Sequence, residues 1–140
     1  MTKLLIDTNV VIDYLADRAP FADHSEKVIE ICIDGIAEGF LTASSVTDIY
    51  YILRKIAGRK KALNRIGVLL KILDVAHVAK RDLLKALELD MPDFEDALAS
   101  VCAKRIKADY IVTRNIKDYS TSYIPAITPK ALLQDIAQRS

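Results

Sequence analysis

The stretch "DMPDFEDALASVCAKRIKADYIVTRN", residues 90–115, holds one full helix-then-strand unit. Phe94, Leu98, Val101, Cys102 and Ile106 recur at helical spacing and predict a core-facing helix over residues 94–107. After it, Tyr110 to Thr113 is short, apolar and β-branched, the signature of a buried strand. The helix has a second stripe, Asp96, Ala99, Ser100 and Ala103, whose small side chains let another backbone come close. A helix covered on both flanks points Asp96 into a crevice, a poor place for an acid whose only task is solubility.

Working outward, the same alternation fills the chain. Leu4 to Ile6, Phe40 to Ala43, Ile72 to Val75 and Ile124 to Thr128 have strand length and composition. Helices are expected over Val28 to Ile36 with Gly39 as terminator, Val46 to Ile56 before Gly58, Lys61 to Lys71, Arg81 to Leu89, and Lys130 to Gln138 after Pro129. Strands that alternate with helices predict the three-layer α/β/α class around a mostly parallel sheet of about five strands, in one domain over residues 1–140. Such sheets bind ligands at the carboxyl ends of their strands.

Composition limits the options without choosing among them. Lys and Arg number 20 against 19 for Asp and Glu, so any electrostatic function rests on how charge is distributed. Cys32 and Cys102 sit in apolar helical segments without metal-ligand spacing and read as small buried hydrophobes. The first apolar run breaks at Asp7, short of a signal-peptide core, and no segment nears the roughly 20 apolar residues that span a bilayer. A soluble, cytoplasmic protein is expected.

At the predicted strand ends stand Asp7 ("LLIDTN"), Asp48 ("FLTASSVTD"), Asp93 and Asp96, then Asn115 and Asp118 ("RNIKDY"). Capping explains single acids of this kind, at about 0.5–2 kcal/mol each. Ser45 with Asp48 and Asp93 with Asp96 have the i, i+3 spacing of capping boxes. Capping does not explain Asp7 at a strand end, nor the gathering of all of them at one edge. Glu95 and Asp90 read most simply as solvent-facing. Carboxylates that converge repel one another unless a cation neutralises them. An oxygen-only ligand set favours Mg²⁺ or Mn²⁺ over zinc, since His24 and His77 read as surface or strand-end residues. No Ser/His/Asp or Cys/His set suggests acyl-enzyme chemistry.

Taken in order, "LLIDTNVVIDYL", "TASSVTDIYYIL", "DMPDFEDALASVCAKRIKADYIVTRNIKDY" and "IPAITPKALL" resemble the PIN domain family of metal-dependent ribonucleases, and within it the VapC-like toxins of toxin–antitoxin pairs. The resemblance spans essentially the whole chain. It implies that Asp7 and Asp96 bind the metal most directly and that Asp48 holds the second acidic position, where many members carry Glu; one methylene shorter, Asp48 would reach the metal or hold a metal-bound water. At the fourth position, where many relatives have aspartate, this chain has Asn115. Asp118 either compensates or caps the next segment, and Asp93 either caps its helix or edges the site. The implied reaction is metal-dependent endonucleolytic hydrolysis of RNA, by one or two ions, leaving a 3′-hydroxyl and a 5′-phosphate. Asp48 would position or deprotonate the attacking water, and Thr113 and Asn115 would contact the scissile phosphate.

For RNA contact the sequence offers Arg54, Lys55, Arg59, Lys60 and Lys61, followed by Arg65, with Lys104, Arg105 and Lys107 ending the central helix. One of the adjacent Tyr50 and Tyr51 is free to stack a base or meet a partner. Surplus apolar positions at Val68, Leu69 and Leu70 fit a homodimer interface or an antitoxin groove. A non-catalytic PIN-like module that binds RNA or protein is the alternative, kept open by Asp48 and Asn115. A receiver-type or haloacid-type phosphoryl-transfer domain is disfavoured, because "LIDTN" lacks D-x-D and no late Lys pairs with a middle-strand Asp.

Overall fold

The computed structural model describes residues 1–139. Strands β1 (Thr2–Ile6), β2 (Ala37–Thr42), β3 (Asp74–Ala76), β4 (Tyr110–Val112) and β5 (Ala126–Ile127) form a sheet in the order β3-β2-β1-β4-β5. All four pairings are parallel. Around the sheet lie α1 (Thr8–Leu15), α2 (Ala22–Ile33), α3 (Ala43–Ala57), α4 (Arg59–Ile72), α5 (Lys80–Glu88), α6 (Phe94–Arg105) and α7 (Pro129–Arg139), with a 3₁₀ turn at Ile116–Tyr119.

The alternation of side chains along β1 divides the core. Leu4 and Ile6 face a cluster with Val10, Val28, Leu53, Leu69 and Leu132, so α1–α4 and α7 cover one face. Leu5 faces the other way, joining Ile111, Ala103 and Tyr119 beneath α6. On the far flank of α6, Leu98, Val101 and Cys102 pack with Ala76 and Ala86. Three layers result, and a sheet covered on both faces explains why the central strands read as unbroken apolar runs. Both flanks of α6 are covered along most of its length, as its two stripes predict, but Phe94, expected on the core-facing stripe, is exposed at the helix start. Ser100 on the small-residue stripe is fully buried, and its Oγ accepts from Ser122 Oγ (2.8 Å) and from the Tyr123 N–H (2.9 Å). Cys102 is buried and Cys32 half-buried.

The structure corrects several boundaries. The helix expected to run to Ile36 stops at Ile33 and turns at Gly35, whose φ is +74°. Gly39 terminates nothing and lies inside β2, where a Cβ would meet Leu73 Cδ2 at 2.7 Å and Cys32 Sγ at 2.8 Å. Ala43 and Ile72, read as strand, belong to helices α3 and α4, and Thr113 lies just past the end of β4. Helix α1 is new. Its apolar residues, Val10, Val11 and Ile12, are consecutive and buried, so no helical period was visible.

Candidate functional site

Asp7 directly follows β1 and is the N-cap of α1: its Oδ1 accepts the Thr8 N–H at 2.8 Å. Capping therefore does account for one of its oxygens, contrary to the expectation from sequence. The other oxygen does more. Oδ2 accepts from Thr113 Oγ1 (2.9 Å), Asn9 Nδ2 (3.3 Å) and the Tyr119 hydroxyl (3.3 Å). Thr113 is there because β4 pairs beside β1, with the Asp7 N–H continuing the ladder to the Val112 carbonyl at 2.9 Å.

Asp96 enters from the head of α6. Asp93 is the N-cap of that helix, and its Oδ1 accepts the Asp96 N–H at 3.0 Å. Asp96 Oδ1 accepts from the same Tyr119 hydroxyl at 3.0 Å. One phenolic proton cannot serve two carboxylates at once, so without a cation both contacts are satisfied only if one carboxyl carries a proton. The electrostatics agree. Burial pushes the Asp96 carboxyl up to about 6, and Asp7, Asp93 and Asp118 push the same way against the Tyr119 hydrogen bond. Burial likewise raises Asp7 in spite of its donors. Tyr119 is buried between two carboxylates and is held far above the ordinary phenol range.

Asp48 lies in the second turn of α3, which begins at Ala43. Its capping partner is different from that expected. Thr42 is the N-cap, accepting the Ser45 N–H at 3.3 Å, so Ser45 and Asp48 form no capping box. Asp48 meets Glu95, which is exposed as expected and yet also lines the acidic crevice. A hydrogen bond shared with Asp48, then burial, raises the Glu95 carboxyl to about 7. Glu95, Asp96, Asp7, Thr8 and Ser44 line a crevice of about 20 Å³, room for roughly one water-sized guest. Asn115 and Asp118 are exposed beside it: the Asn115 N–H donates to Thr113 Oγ1 at 3.1 Å, and Asp118 caps nothing with its side chain but adds to the field on Asp96. Asp90 remains exposed.

Five residues of this neighbourhood had no role expected from sequence: Asn9, Glu95, Tyr119, and Asp13 with its ion-pair partner Arg114. Asn9 stands in the "DTN" quoted above, two residues from Asp7, so a signal was available. Tyr119 had none, since a tyrosine in a polar loop has no marker of burial. Asp13 is fully buried, and Arg114 Nε lies 2.6 Å from its Oδ2 in an ion pair whose angles fall short of a hydrogen bond.

The basic residues lie elsewhere. Arg54 and Lys55 end α3, and Arg59, Lys60 and Lys61 begin α4, all exposed. At 1.5 Å per residue, Arg54 is about 9 Å beyond Asp48 along the helix axis. Arg65 donates to the Leu15 carbonyl at 3.2 Å. In the last turn of α6, Arg105 pairs with Asp82 at 3.2 Å and with the His77 carbonyl, and Lys104 sits over the Tyr123 ring at 4.3 Å. Tyr51 is exposed and Tyr50 half-buried. His24 and His77 stand outside the acid cluster.

Among the described residues no three His, Cys, Asp or Glu side chains form a ready-made ion cage. The donor chemistry nonetheless fits a hard cation: oxygen atoms alone, on crowded carboxyls, with Asp96 raised first by burial and Glu95 first by the hydrogen bond it shares with Asp48.

A parallel α/β sheet with acids gathered at the carboxyl ends of its central strands defines a class of site, and comparison with known proteins gives the family. Residues 3–117 match the PIN domain family, and the chain belongs to it. Ribonuclease VapC1 of Aquifex aeolicus is 30% identical over 123 residues, covering 84% of this chain and 85% of that protein. Among solved structures, DNA-bound VapBC from Salmonella typhimurium superposes with a TM-score of 0.70 over 92% of this chain and 99% of its own, at 13% identity. VapC20 of Mycobacterium tuberculosis, a sarcin–ricin loop cleaving toxin, superposes with a TM-score of 0.63 over 77% of this chain and 86% of its own, at 12% identity. PIN-domain ribonucleases are metal-dependent in general. No helix among the described residues is long and apolar enough to cross a membrane.

Proposed function

We propose that this chain is an endoribonuclease that cleaves RNA at the Asp7–Asp96 crevice, as the toxin of a toxin–antitoxin pair acting in the cytoplasm. The observation that carries the reading is the shared phenol: two carboxylates on one hydroxyl, with no cationic side chain among their hydrogen-bond partners, leave unneutralised charge where the family places its chemistry.

The ion is Mg²⁺ or Mn²⁺, held by Asp7 and Asp96, with Asp48 in support. When bound, it supplies charge for the phosphate and lowers the pKa of water. Asp48, which shares a hydrogen bond with Glu95, positions or deprotonates the attacking water. Asp48 is one methylene shorter than Glu, and the Glu95 carboxyl reaching it from α6 compensates. Thr113, braced by Asn9, holds Asp7 in place, and with Asn115 it contacts the scissile phosphate. Asp118 and Asp93 stay at the rim as field and cap. The basic run from Arg54 to Lys61 engages RNA backbone away from the cut.

The toxin–antitoxin reading rests on the named relatives, which include VapBC complexes. The partner here is an antitoxin protein. Val68 and Leu70 on α4 and Tyr51 on α3 are exposed and supply apolar surface for it or for a homodimer. The test is cleavage of transfer, ribosomal and messenger RNA under Mn²⁺ or Mg²⁺ titration. Wild type should release 5′-phosphate products and the Asp7→Asn, Asp96→Asn double variant none. Equal cleavage by both would return the chain to the status of a binding module.

A further inference from the structure

Across the Arg114 side chain from the acidic crevice, a second cavity of about 360 Å³ opens between the start of α2, the loop after β4 and the start of α7. Pro20, Phe21 and Pro129 give it apolar walls, and His24, Arg114 and Lys130 bring nitrogen groups to it. Among the described residues no carboxylate lines it. Its volume lies in the range of small-ligand sites. Arg114 is pinned in place: Nε rests on the buried Asp13 at 2.6 Å, and Cζ lies 4.2 Å from the centre of the Phe21 ring. The Phe21 side is still open, with the residue 41% exposed.

The lining of the cavity is tied to the proposed reaction centre through Arg114. Arg114 follows Thr113 directly, and its N–H donates to Asn9 Oδ1 at 3.4 Å, while Asn9 Nδ2 reaches Asp7. Both openings lie at the carboxyl edge of the sheet. An aromatic and proline wall beside cationic groups has the chemistry of a single-stranded nucleic-acid subsite, in which a base stacks and a phosphate is neutralised.

We propose that this cavity receives an unpaired nucleotide of the RNA next to the scissile bond, its base against Phe21, Pro20 and Pro129 and its phosphate on Lys130 and Arg114. The proposal rests on the ribonuclease reading and adds a specificity subsite to it. A protein segment fits the cationic lining less well, because only an acidic one would match.

The test crosslinks a random-sequence pool of short single-stranded RNA containing 4-thiouridine to the uncleaving Asp7→Asn, Asp96→Asn protein, and maps the attachment points by mass spectrometry. Crosslinks are expected on the peptides holding Phe21 and Pro129. Lys130→Glu should lower their yield about fivefold or more, as loss of a phosphate contact predicts. Phe21→Leu, which keeps an apolar side chain in the wall, should lower it while the melting temperature holds. Crosslinks confined to α3 and α4, or yields indifferent to both substitutions, overturn the subsite while RNA cleavage by wild type leaves the ribonuclease reading standing. No RNA bound and no cleavage by wild type overturns both. If the substitutions instead weaken capture of the protein encoded in the adjacent reading frame and leave RNA crosslinking unchanged, the cavity is a protein-docking site and the proposal fails.

Discussion

Asp96 and Asp82 lie near opposite ends of α6 and have opposite electrostatic fates. Asp82, on α5, is the more enclosed at 2% exposure, and burial alone would raise its pKa. The Ala79 N–H at 2.9 Å and Arg105 at 3.2 Å more than offset that, so its carboxyl lies below the ordinary range. Asp96 is only half-buried, yet burial, reinforced by Asp7, Asp93 and Asp118, pushes its carboxyl up to about 6, because the Tyr119 hydrogen bond offsets this only in part and no cation is there to do more. Burial does not separate a structural acid from a candidate functional one. The presence or absence of a cation among its neighbours does.

The comparison is broken most directly at Asp96. Asp96→Asn should cost RNA cleavage roughly a thousandfold, the several kcal/mol that a metal ion contributes to such chemistry. The fold should be kept, as circular dichroism and the melting temperature would show. Cleavage within about tenfold of wild type would place the chemistry elsewhere. Asp82→Ala should do the reverse. It leaves Arg105 beside a buried vacancy and lowers unfolding free energy by about 3 kcal/mol in denaturant titrations, with cleavage per folded molecule unchanged. If stability hardly moves, the Arg105 pair is not structural and the contrast collapses.

Tyr119→Phe sharpens the question of what positions the two acids. Removing the hydroxyl shared by Asp7 and Asp96 should weaken Mn²⁺ affinity about tenfold or more, as loss of an outer hydrogen bond does at metal sites. Calorimetric titration of the metal would read this. An unchanged affinity would mean that the phenol only fills space.

The smallest effect is on pH. Asp96 rises from 3.8 to about 6 and Glu95 from 4.5 to about 7 on folding, so the folded chain holds these protons more tightly than the unfolded chain. Their contribution to stability is complete below the unfolded values and is lost as pH rises through about 6 to 7. The metal-free melting temperature should therefore fall between about pH 4 and pH 7 and level off above that. Saturating Mn²⁺ should flatten that fall, and Asp96→Asn should reduce it. A melting temperature that climbs with pH in metal-free protein would contradict the assigned shifts.

Much of this was legible in the chain. The alternation of five apolar runs with amphipathic helices foretold the layers, and only α1 was missed, because three consecutive buried residues show no period. Asp7, Asp48 and Asp96 could be marked because each closes a strand or opens a helix in local sequence. The role of Glu95 could not. Glu95 is exposed, as a glutamate at the head of a helix is expected to be, but only the placement of α3 shows that Asp48 lies against it. The two boundaries misread at Gly39 and Ser45 have one cause: a local signal fits several structures, and contact with Cys32 and Leu73, or with Thr42, decides among them.

What the sequence determined by itself was periodicity and punctuation, because strand, helix and cap depend on residues within a few positions of one another. Which acids face which partners was decided by the strand order β3-β2-β1-β4-β5. It sets Asp7 beside Thr113 across a separation of 106 residues, and it brings Tyr119 to Asp7 and Asp96 together. No spacing rule reaches that far, since such contacts are paid for in loop entropy and decided by the packing of the whole sheet.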